Sequence, residues 1–142
     1  MLKGIKSFTL MEITIVVVLI GILIGFAIPN YGKAISKADE RHGITNLIAT
    51  RSAVKFYLAN TGDATIQAWG NAAAINTALG INILDSKMAY VCAAANNTCS
   101  TTHPDGWTLQ FHLTGAHNTD GSIHCVAANC PSCPQGGAGD CG

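Results

Sequence analysis

Residues 8–28 read FTLMEITIVVVLIGILIGFAI, and this stretch decides the architecture. Glu12 is its only charged residue. As a helix rising 1.5 Å per residue it would reach roughly 30 Å, the hydrocarbon thickness of a bilayer. The seven residues before it, MLKGIKS, carry Lys3 and Lys6 and no acid. Basic residues ahead of an apolar run keep that end in the cytoplasm. A carboxylate inside such a run costs about 2.5–3.5 kcal/mol on insertion scales, so Glu12 needs a partner.

The helical pattern continues past Pro29. Ile35, Ala38, Ile44, Leu47, Ile48, Val54 and Leu58 recur at helical spacings, with Lys33, Lys37, Asp39, Glu40, Arg41, Arg51 and Lys55 interleaved. That is an amphipathic helix with one apolar stripe, and the interleaved charges are expected on its solvated face. Pro29 lacks an N–H and, with Gly21 and Gly25, makes this the place where the helix can kink or loosen. Asn60-Thr61-Gly62 is the stop signal. One helix is therefore predicted from about Phe8 to Asn60, roughly 80 Å if straight. Its first half is too long to be buried by its own chain and needs lipid or other copies of itself.

Residues 61–142 are predicted to form a small head. Asn71–Leu79 is a candidate short helix closed by Gly80. Three strand-like runs follow, Met88–Cys92, Trp107–Leu113 and Ser122–Val126, of which WTLQFHL alternates best. The tail, Asn129–Gly142, is rich in Gly, Pro and Cys. The expected fold is α+β: a long N-terminal helix packed on a small antiparallel sheet, with a disulfide-stapled C-terminal tail. The expected divisions are residues 1–7 as leader, 8–28 as membrane or filament-core helix, 29–60 as amphipathic helix and 61–142 as head.

Charged residues make up 11% of the 142, with zero formal net charge, which argues against an electrostatic nucleic-acid surface. All six cysteines, at 92, 99, 125, 130, 133 and 141, lie in the head. Their even number in a loop-rich region points to disulfides and an oxidising compartment. The expected pairing joins Cys92 to Cys99 around Ala93–Thr98 and leaves Cys125, Cys130, Cys133 and Cys141 to pin the tail. Cys130-Pro-Ser-Cys133 has CxxC spacing but no βαβ context for redox catalysis. His42, His103, His112, His117 and His124 match no zinc-finger spacing and read as surface or sheet residues. No nucleophile–base or phosphate-loop arrangement stands out, so neither an enzyme, a metal nor a cofactor is expected. Asp105-Gly106 and Asp120-Gly121 are turn signals. Asn96-Asn97-Thr98 is formally a glycosylation sequon. Most of Phe8, Phe26, Tyr31, Phe56, Tyr57, Trp69 and Trp107 read as core packing.

Lys6-Ser7-Phe8-Thr9-Leu10-Met11-Glu12, the apolar run behind it and Pro29 resemble the signal of type IV pilins and pseudopilins. The resemblance covers about the first sixty residues. It implies removal of the leader by a prepilin peptidase between Ser7 and Phe8, followed by N-methylation of Phe8. Ser7 departs from the family, which usually has Gly there. Glu12 becomes the fifth mature residue, and its implied partner is the free amine of a neighbouring subunit's Phe8. Gly21 and Pro29 match positions between which related helices unwind on assembly. Pilins of this kind often tie the C-terminal region with a disulfide.

The resemblance implies a bacterial inner-membrane precursor that an assembly platform polymerises, with copies of itself, into a helical surface filament. Adhesion, motility, DNA uptake and electron transfer are all compatible with that. The reading within the family is a pilus subunit. The alternative is a type II secretion pseudopilin, whose major form carries a calcium-binding Pro-Trp-Gly-x-Pro-Tyr motif absent here. A second alternative is a secreted disulfide-rich protein cut after Ala27, at the small-x-small site Gly25-Phe26-Ala27. A third is a membrane-anchored binding module that never polymerises.

Overall fold

The computed structural model describes residues 8–85, 87–113, 122–126, 130–133 and 141, with the backbone alone for 27–30. The chain divides into two compact units, Met1–Ser36 and Lys37–Gly142. Helix α1, Leu10–Thr61, runs through both. It is followed by α2 (Ala72–Leu79) and by strands β1 (Ala89–Ala93), β2 (Thr98–Thr102), β3 (Thr108–His112) and β4 (Ile123–Cys125).

In the first unit every described side chain from Phe8 to Ile35 is exposed. Among the described residues no single straight helix is long and apolar enough to cross a membrane. Leu10–Phe26 and Tyr31–Thr61 meet that test only together. The reason is length, since Leu10–Phe26 alone reaches about 25 Å at 1.5 Å per residue.

The second unit holds the core. The inward face of α1 here is Glu40, Gly43, Leu47, Thr50 and Val54, spaced alternately by three and four residues. Ile35 and Ala38, expected on the apolar stripe, are exposed instead, and Glu40, expected on the solvated face, is fully buried. Gly43 is in this stripe because of close approach: a Cβ there would stand 3.1 Å from Met88 Sδ and 3.4 Å from Thr101 Cγ2. The helix stops where the sequence predicts. Gly62 takes a left-handed φ of 75° and its N–H bonds the Leu58 carbonyl at 2.9 Å.

The sheet has four strands in the order β1-β2-β3-β4, all antiparallel. Three strand-like runs were legible in the sequence, and β2 is the addition. Residues 93–98, expected as a loop inside a cystine, form a hairpin whose turn is 94–97. Thr98-Cys99-Ser100-Thr101-Thr102 offers no large apolar residue to mark a strand. It is held by β-branched threonines and by ladders on both sides. The strand registers line up two buried rows across the sheet. One is Tyr90–Thr101–Leu109–Cys125, and the other is Cys92–Cys99–Phe111–Ile123. Both rows join the core with Leu47, Val54, Ile66, Ile75 and Trp107.

Side-chain amides shape the connections. Asn71 caps α2 by accepting from Ala74 N–H at 2.8 Å, and Gly80 closes it with φ 65°. Asn76 clamps Ile83 from both sides, accepting from its N–H at 2.8 Å and donating to its carbonyl at 3.2 Å. Asn97 turns the β1–β2 hairpin with φ 52° and accepts from Ile66 N–H at 3.0 Å. Trp69 and Trp107 are buried and Tyr57 packs edge-on against Trp69 at 5.7 Å, but Phe8, Phe26, Tyr31 and Phe56 are 70–78% exposed and stand outside the core.

Candidate functional site

The N-terminal end of α1 is built around Thr9 and Glu12. Thr9 N–H and Thr9 Oγ1 both donate to Glu12 Oε2 at 2.9 Å, and Glu12 N–H donates back to Thr9 Oγ1 at 3.3 Å. This reciprocal pair is a capping box, which satisfies donors that the first turn of a helix leaves open. Thr-x-x-Glu ahead of an apolar run was the signal that would have announced it. Both bonds to the carboxylate fall on one oxygen, and no donor among the described residues reaches Oε1. Phe8, beside this cap, is 78% exposed.

Behind the cap, Leu10 to Ile24 presents apolar side chains that are 49–83% exposed, a surface left uncovered by the described residues of the unit. Gly21 and Gly25 meet nothing within 4 Å of an added Cβ. The backbone stays helical through Gly21 and Pro29 in this single chain. Ser7 lies outside the described residues.

In the head, the cysteines pair as Cys92–Cys99, Cys125–Cys130 and Cys133–Cys141. Cys92 and Cys99 stand directly opposite across β1 and β2 with Cα atoms 4.0 Å apart. That is the narrow position of an antiparallel pair, because the Cys92 N–H and carbonyl face the other way and bond Trp69 at 2.8 and 2.9 Å. The histidines are structural in their contacts. His103 stacks on Trp107 at 4.6 Å and lies 3.5 Å from Asp39 and 3.4 Å from Asp105. His112 stacks on His124 at 5.3 Å. His103 and His124 are buried, while His117 and Asp120-Gly121 lie outside the described residues. Among the described residues no group of three or more His, Cys, Asp or Glu is placed to hold a metal ion.

One polar cluster ties the loop before β1 to α1. Tyr90 OH donates to Asp85 Oδ2 at 3.0 Å and accepts from Asn46 Nδ2 at 2.8 Å, while His42 Nδ1 lies 3.3 Å from the same Asp85 oxygen. Burial raises the Asp85 carboxyl, but donors from Lys87 N–H, Tyr90 OH, Met88 N–H and His42 outweigh it and hold the group below its ordinary range. Burial, reinforced by the Asp85 carboxylate, pushes the Tyr90 phenol up to about 12, against the pull of the Asn46 donor. The folded state therefore keeps a proton that the unfolded chain loses near pH 10. This contribution to stability is constant below about pH 10 and falls away between about 10 and 12. Denaturant midpoints of the parent should drop across that window, and the drop should be smaller in Tyr90→Phe. Parallel pH profiles would remove Tyr90 as the cause.

Over its N-terminal region the chain is 40% identical, across 51 residues, to type II secretion system core protein G of Vibrio cholerae. It is 35% identical across 52 residues to the protein of the same name from Escherichia coli K12, and 33% identical across 52 residues to that of Aeromonas hydrophila. These stretches are 36–37% of this chain and 35–36% of each relative. The N-terminal segment is similar to that of these type IV pilin-like secretion proteins. No family model and no solved structure matches the chain. The pilin-like resemblance thus rests on the segment carrying the capping box and the exposed apolar helix. The α+β layout of helix, antiparallel sheet and C-terminal disulfides agrees with it.

Proposed function

We propose that this chain is a pilin-like subunit that polymerises through its N-terminal helix, and that its filament serves protein secretion. The observation that carries the reading is the exposed apolar segment Leu10–Phe26, in a region whose relatives are secretion core proteins. That likeness puts the pseudopilin reading ahead of the surface pilus expected from the sequence. The pilus reading keeps one supporting feature, a head stapled by three cystines.

On this reading a prepilin peptidase cuts between Ser7 and Phe8, Phe8 is N-methylated, and the subunit waits in the inner membrane. An assembly platform then moves it into a filament, where Gly21 to Pro29 can adjust and Glu12 meets a neighbour's Phe8 amine. The role is mechanical, with no catalysis. Intact mass of the membrane-extracted chain is expected to begin at methylated Phe8. A chain beginning at Ile28 would instead be a secreted protein. Deleting the gene should abolish secretion of the system's substrates and leave surface filaments in sheared fractions unchanged. Lost surface filaments with intact secretion would return the reading to a pilus.

A further inference from the structure

Glu40 is fully buried on the inward face of α1. Its carboxyl accepts from Ser132 Oγ and, at 3.0 Å, from Cys133 N–H. Both donors come from the tail, more than ninety residues away in sequence. That tail segment is hung on the sheet by cystines. Cys130 is bonded to Cys125 on β4, and Cys133 is bonded to Cys141, whose N–H bonds the Ile123 carbonyl at 2.9 Å. Residues 130–133 therefore bridge β4 to α1, and the bridge ends on one carboxyl. A buried carboxyl is tolerated only while its donors stay in place. If the tail lifts, Glu40 is left without them and is better served by water.

We propose that residues 130–133 form an oxidation-gated clasp, in which the Cys133–Cys141 bond locks two donors onto Glu40 and its reduction opens this stretch of α1. Reduction by a dithiol delivers two electrons and two protons, giving two cysteine thiols and the reductant's disulfide. Closure runs the other way, with a disulfide-bearing oxidant taking two electrons and two protons from the thiols. The head is then complete only in an oxidising compartment, and the sensor of that completion is Glu40. The inference is independent of what the filament does.

Limited trypsin digestion of the full chain in detergent micelles tests it, because Lys37 and Arg41 flank Glu40 and are both exposed. Cleavage in a helix needs local opening, so its rate reports that opening. Cys133→Ser with Cys141→Ser should raise cleavage after Arg41 at least about tenfold in the parent. In the Glu40→Leu background, where no donor is needed, the rise should stay under about twofold. Ser132→Ala, which leaves every cystine intact, should show the same dependence with a smaller rise, and it serves if the double serine chain does not fold. Equal rises in the two backgrounds, or no rise in the parent, would overturn the clasp.

Discussion

Glu12→Ala is expected to yield a chain that is inserted and cut normally yet fails to polymerise. The carboxylate sits in an apolar helix where a charge costs about 2.5–3.5 kcal/mol, so a cation from a neighbour would recover energy that neutral Thr9 donors cannot fully supply. Losing that much at each subunit contact weakens association by about a hundredfold. The capping box gives Glu12 a second role, since it already serves its own helix through Thr9. Glu12→Gln separates the two roles. Glutamine can fill a capping box but carries no charge. Filament yield, measured in sheared or cross-linked fractions, should collapse in both variants if pairing with Phe8 sets the register. Normal assembly by Glu12→Gln would show that capping suffices and remove the charge from the mechanism.

Phe111→Ala is expected to cost the head about 3–5 kcal/mol, the range for emptying a buried aromatic site. Phe111 is fully buried at the middle of a sheet row, between Cys99 and Ile123. A domain holds only about 5–15 kcal/mol in total, so the loss should leave it close to unfolding. Trp69 and Trp107, both in the same core, give a fluorescence signal for denaturant titration of the full chain. Phe56→Ala is the control. Phe56 is 70% exposed and should change stability by less than about 0.5 kcal/mol. Similar midpoints for the two variants would contradict this placement of the core.

The helix was legible because its signals are local. A long apolar run, a three-and-four periodicity and a Gly stop sit in consecutive residues, and α1 ends at Thr61 beside that stop. Asn71 and Gly80 marked α2 for the same reason. What could not be read was set by partners distant in sequence. β2 is a strand because β1 and β3 flank it, and no alternation in Thr-Cys-Ser-Thr-Thr says so. Glu40 looks like any surface acid until the tail folds back to it. Ile35 and Ala38 fit the helical period, yet they are exposed all the same. At the N-terminal site, the resemblance marks Glu12, and the Thr-x-x-Glu spacing carries its bond to Thr9 in consecutive residues.

The bridge between Trp69 and Cys92 has a consequence for solubility. It occupies the Cys92 backbone groups on the outer edge of β1, while Cys141 N–H occupies the Ile123 carbonyl on the opposite edge. Open strand edges are templates along which sheets of different molecules zip together. A chain present in many copies runs that hazard with each of them. Here both margins carry a backbone bond from the chain itself, which leaves the exposed apolar side chains of Leu10–Phe26 as the sticky surface.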